Sequence, residues 1–173
     1  MSGLEREARR EYMTVQDLYQ PPLPRAAVWL TWSGLLPFVI ALAAWAAGGL
    51  LGEARPLAIG SKAFLVYSAV ILSFLGGLRW GRVMSAGAGA PGYVLAVLPS
   101  LWAFPALFLP TLSALAALAV GFGLALWFDT RADALPATPG FRQLRRNISA
   151  AVIGAHGLAM GLCWHFGGGL SPA

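Results

Sequence analysis

The sequence predicts an all-α integral membrane protein of five transmembrane helices, with its N-terminus inside and its C-terminus outside. Three observations carry that expectation. Apolar residues make up 58% of the chain and charged residues 11%, with a mean hydropathy of +0.68, whereas soluble domains carry about a quarter charged residues. The charges are confined to the N-terminal segment and to short stretches between apolar blocks. Those stretches hold Lys and Arg very unequally on alternate sides, as cytoplasmic and external flanks do.

The blocks form one membrane domain over 26–166, with spans at about 26–51, 63–78, 93–109, 112–128 and 148–166. The first is longer than a ~30 Å hydrocarbon core needs at about 1.5 Å per residue, so it crosses with a tilt or with a kink at Pro37, and Gly48, Gly49 and Gly52 end it. The second, between Lys62 and Arg79, reaches about 24 Å, and those two side chains extend it by snorkelling. Pro99 and Pro105 each remove a backbone hydrogen bond from the third, which is expected to bend. Pro110 and Thr111 give a connection so short that the third and fourth spans must form an antiparallel hairpin. Thr138 followed by Pro139 resembles an N-cap and first helical position, so the last helix is expected to begin there and enter the membrane amphipathically.

Residues 1–25 form a cytoplasmic tail and 167–173 a short C-terminal one. Leu4 to Tyr19 alternates charge with apolar residues and reads either as an interfacial helix or as a solvated tail, which Pro21, Pro22 and Pro24 terminate. The acidic Glu5, Glu7, Glu11 and Asp17 ahead of the first block fit neither a cleavable signal peptide nor a mitochondrial presequence. Insertion through the first span into the cell inner membrane is expected. With the N-terminus inside, Arg6, Arg9, Arg10, Arg25, Arg79, Arg82, Arg131, Arg142, Arg145 and Arg146 lie on the inner side, and only Arg55 and Lys62 on the outer.

The net charge of +5 and pI near 10.1 do not indicate nucleic acid, because the basic residues flank apolar blocks and face lipid headgroups. Cys163 is the sole cysteine, which excludes an internal disulfide and a Cys-rich metal site. No phosphate loop, paired-His metal motif or Ser-His-Asp set is present, and Gly76-Gly77 lacks a dinucleotide-binding continuation. His156 and His165 stand about 13.5 Å apart along one helix and cannot ligate one haem iron. No cofactor or metal is expected, and an enzyme is the least favoured reading.

Three polar residues are candidates for a site: Arg79, Asp129 and His156. Asp129 opposes the macrodipole at the C-terminal end of its helix, and a partner from Arg79, Arg131 or Arg145 would relieve that conflict; the alternative is separate solvation at the interface. His156 lies deep in the last span, either as a proton carrier, quinone or lipid contact or metal ligand, or as a neutral imidazole bonded to a neighbouring helix through Thr31, Ser33, Ser68 or Ser73. Ala69, Ser73 and Gly77, with Gly76 beside them, and Ala150, Gly154, Gly157 and Gly161 have the small-residue spacing of helix-packing faces. The second of these faces is expected inside the bundle.

The segment from Tyr67 to Gly81, YSAVILSFLGGLRWG, resembles the signature of a membrane family known as domain of unknown function 3429, which includes the animal mitochondrial transmembrane protein 69. Gly34 to Phe38, Leu98 to Trp102, Asp129 with Arg131, and Leu144-Arg145 add to the resemblance; Phe141-Arg142 stands where similar proteins tend to have Trp-Tyr. The resemblance implies an inner-membrane protein and carries no activity with it. Two functions are therefore weighed ahead of a third, an intramembrane enzyme. One is a non-enzymatic accessory, assembly or interaction component that packs against other membrane proteins; the other is a lipid, quinone or small-solute binding or transport protein.

Overall fold

The computed structural model describes residues 23–87, 89–131 and 139–166, which among themselves form helices and connecting turns with no strand. The two expected tails lie outside the described residues, apart from 23–25. The helices are α1 (Arg25–Ser33), α2 (Leu36–Leu51), α3 (Ala54–Ser85), α4 (Ala90–Ala106), α5 (Thr111–Thr130) and α6 (Pro139–Phe166). Helices α1 and α2 together make one 27-residue apolar span, and that span, α3, α5 and α6 are each long and apolar enough to cross a membrane. At 17 residues, or about 25 Å, α4 is shorter.

The first span breaks at Gly34-Leu35 because Pro37 has no N–H to offer the preceding turn, so a new helix starts at Leu36. The hydroxyl of Tyr67 on α3 donates to the Gly34 carbonyl at 2.9 Å and so satisfies an oxygen at the break. Tyr67→Phe is expected to leave that oxygen unpaired in the bundle, at about 1–3 kcal/mol, read as a lower thermal midpoint in detergent. At the far end of α2, Gly52 has φ +70°, which a side chain would strain, and Glu53 N–H donates to the Gly48 carbonyl at 2.8 Å. That turn reverses the chain into α3.

Leu23 lies beside Gly140 at the start of α6, and Phe166 at its end meets Gly49 on α2, so the first span and α6 run the same way. The described residues thus run along the bundle five times. Helix α3 runs straight through Lys62 and Arg79, the limits of the second apolar block: a charged side chain marks the edge of hydrocarbon and does not interrupt backbone hydrogen bonding. Helix α4 stops three residues before the expected Leu109. Past Pro105 the ladder tightens to three-residue bonds, from Leu107, Phe108 and Leu109 to Phe104, Pro105 and Ala106. The last helix is described from Pro139 onward, and the expected cap at Thr138 lies outside the described residues.

Phe38, Trp45, Phe64, Leu72, Leu118 and Phe122 fill the centre of the bundle. Close backbone approach occurs at Gly48 against Leu57, at Gly60 against Trp45 and Ala41, and at Gly76 against the Ala96 carbonyl. The expected α3 face is only partly inward: Ala69 and Gly76 are buried and Ser73 half-buried, but Gly77 is exposed with open space around it.

The expected α6 face is reversed. Ala150, Gly154, Gly157 and Gly161 are exposed, and a side chain on any of the three glycines would meet nothing within 4 Å. The inward stripe is instead Arg145, Ser149, Val152, His156 and Ala159, all buried and spaced by four, three, four and three residues. An arginine, a hydroxyl and an imidazole gain more from shielding against hydrocarbon than glycines gain from close packing, so the polar stripe takes the interior.

Candidate functional site

Asp129 sits one residue before the end of α5, Arg79 and Arg82 near the end of α3, and Arg145 near the start of α6, so three helix termini deliver their charges to one end of the bundle. The Arg79 Nη1 donates to Asp129 Oδ1 at 3.1 Å, and the Arg145 Nε donates to Oδ2 at 2.9 Å. Arg82 Nη1 stands 3.8 Å from Oδ1, with its guanidinium also 5.4 Å from the Phe141 ring centre. Arg145 Nη1 donates to the Ser149 hydroxyl at 3.1 Å, one turn along its own helix. The Asp129, Arg79 and Arg145 side chains are 11%, 13% and 7% exposed, so solvent screens the cluster weakly.

The carboxylate that conflicted with its own helix dipole is thus held by cations from two other helices. Arg131, also a candidate partner by sequence, stacks over Trp127 at 4.1 Å. Arg82 and Ser149 were not legible as members. Their signal is spacing: Arg79-x-x-Arg82 and Arg145-x-x-x-Ser149 each present two polar groups on one helix face.

Beside the cluster, α3, α4 and α5 enclose a lateral groove of about 370 Å³ whose wall is apolar and whose polar end is Arg79 and Asp129. Its sides include Leu75, Leu98, Pro99, Trp102, Leu124 and Phe128. The Trp102 indole N–H donates to the Ala117 carbonyl at 2.7 Å, and the ring lies over Gly121, whose missing side chain leaves room for it and for Leu72. Leu98 and Leu124 are half-exposed, so the groove opens to the outside of the bundle.

Over residues 23–161 the chain matches the family model described as protein of unknown function, DUF3429. The chain belongs to the DUF3429 family. No curated protein and no solved structure matches it. Within this DUF3429 chain, four segments that carry the resemblance meet at the groove and its cluster: Arg79 from the first, Pro99 and Trp102 from the second, then Asp129 and Arg145.

His156 lies elsewhere. It is fully buried about 16 Å along α6 from Arg145, among Phe38, Phe64 and Phe122, with ring centres at 6.2, 5.0 and 5.4 Å. Its Nδ1 is 2.8 Å from the Val152 carbonyl of its own helix, which assigns the proton to Nδ1 and leaves Nε2 without a hydrogen-bond partner. The expected neighbouring hydroxyls do not reach it. Thr31, Ser33 and Ser68 each spend their proton on a carbonyl of their own helix, since a helical Ser or Thr finds that oxygen one turn back. Among the described residues no three His, Cys, Asp or Glu side chains form a metal site.

Proposed function

We propose that this chain is a non-catalytic membrane protein that holds an amphiphile of the bilayer in the groove between α3, α4 and α5. The supporting observation is the make-up of that groove: its volume of about 370 Å³ is lined by apolar side chains along its length and by one arginine and one aspartate at its end. A ligand with an apolar tail and a compact polar head complements such a surface, and cavities in the range of about 300–1,000 Å³ are typical of ligand sites. A wholly polar solute would find almost no hydrogen-bonding groups along the walls.

The membrane is the cell inner membrane, with the cluster at the cytoplasmic side. Arg25, Arg79, Arg82, Arg142, Arg145 and Arg146 gather toward this end of the bundle, and Arg55 and Lys62 toward the other, the asymmetry that cytoplasmic flanks show.

Purification of the full chain in mild detergent followed by native mass spectrometry tests the assignment. The expected result is a retained small amphiphile that Leu98→Trp displaces, because Leu98 lines the groove yet is half-exposed, leaving space for a larger ring without disturbing the core. A stoichiometric protein partner and no retained amphiphile would replace this reading with an accessory or assembly role.

A further inference from the structure

We propose that the polar end of the groove recognises an anionic phospholipid head, with Arg79 as the residue that contacts it; this rests on the groove being an amphiphile site. Two guanidinium donors in the cluster have no acceptor. Arg79 Nε and Arg145 Nη2 are buried without a hydrogen-bond partner, although both side chains reach Asp129 through other nitrogens. A buried, unpaired N–H on a charged group is costly, and of the two it is Arg79, which lines the groove, that an incoming acceptor oxygen can relieve.

Charge decides which acceptor. Among the described residues one carboxylate faces both Arg79 and Arg145 in direct contact, so two cations share a single anion there. A quinone carbonyl supplies an acceptor and no charge. A phosphodiester supplies both, and guanidinium forks match its oxygens with two donors at once. Of the cluster's arginines only Arg79 lines the groove, together with Asp129. Arg145 holds the carboxylate and Ser149 accepts from Arg145, so they are positioning residues. The acyl chain then runs from Arg79 along Leu75, Leu98 and Trp102, and the head stays at the end of the bundle where headgroups lie.

The test uses the full chain, stripped by detergent exchange and incubated with vesicles of equal phosphatidylglycerol and phosphatidylcholine bearing identical acyl chains. Retained lipid is counted by native mass spectrometry after re-extraction. The wild type is expected to retain phosphatidylglycerol about tenfold over phosphatidylcholine, as one charge-assisted contact allows. Arg79→Gln brings the ratio near one, and Arg79→Lys, which keeps the ion pair but not the fork, lies between. Leu98→Trp removes both lipids.

Equal retention of the two lipids by the wild type overturns the headgroup assignment, with or without a folded Arg79→Gln protein. So does an unchanged preference in that variant, or displacement of the lipid by millimolar inorganic phosphate alone. Retention of neither lipid defeats the groove assignment itself.

Discussion

Asp129→Ala is expected to remove most of the folded protein, the largest loss from any single side chain at the cluster. The carboxylate is the acceptor for both Arg79 and Arg145, from helices that do not otherwise neutralise one another. Its removal leaves two guanidiniums, 13% and 7% exposed, facing each other with no anion between them among the described residues. Deleting one partner of a buried pair costs about 3–5 kcal/mol, a large share of the roughly 5–15 kcal/mol that holds a domain together. Yield on size exclusion and the thermal midpoint in detergent are the readouts. Asp129→Asn should fall between, since it keeps an acceptor and loses the charge.

The charge exchange is informative in a different way. Arg79→Asp combined with Asp129→Arg restores that pair but sets the new arginine at 129 against Arg145 and Arg82. Recovery should therefore be small, unless Arg145→Ala is added. An Asp129→Ala protein with wild-type yield and midpoint would mean that the cluster is solvated and holds nothing together.

How much of this was legible depended on whether one residue or a helix face had to be read. The spans were legible because hydrocarbon thickness imposes a length on every apolar run, whatever its neighbours. Lys62 and Arg79 then marked the edges of a block correctly as chemistry and wrongly as helix ends, since α3 continues past both. Asp129 stood out because its charge conflicts with its own helix, a purely local property. Arg82 and Ser149 carry no such conflict, and their role emerges only when α3, α5 and α6 are brought side by side. His156 showed the same limit: its depth was readable from its place in the span, but its partner was a carbonyl one turn back. The groove needed three helices at once, with Gly121 making room for Trp102. The glycines were the hardest to rank, because a chain with 21 of them offers small-residue spacing on many faces.

That ranking has a direct consequence: Gly60→Leu is expected to disrupt the bundle, and Gly157→Leu to leave it intact. A side chain at Gly60 would run into the backbone nitrogen of Trp45 and the backbone oxygen of Ala41, both on the facing helix α2. Backbone atoms in a helix cannot turn aside as a flexible side chain does, so the whole of α2 must move away from α3. Overpacking alone costs about 1–3 kcal/mol, and separation of the two helices forfeits many dispersion contacts around the buried Trp45 ring as well. Small residues at such a crossing are what let two helices pack where lipid supplies no hydrophobic drive. Gly157 is the reverse case. It is exposed on α6 with nothing within 4 Å of an added side chain, so a leucine there extends into the surroundings and replaces a poor helix former with a good one, worth up to about 1 kcal/mol. The two variants, purified side by side, should differ sharply in yield and thermal midpoint, with Gly157→Leu at or slightly above wild type. If Gly157→Leu fails to fold while Gly60→Leu behaves normally, the inward face of α6 is the glycine stripe and the Arg145 to Ala159 stripe must point elsewhere.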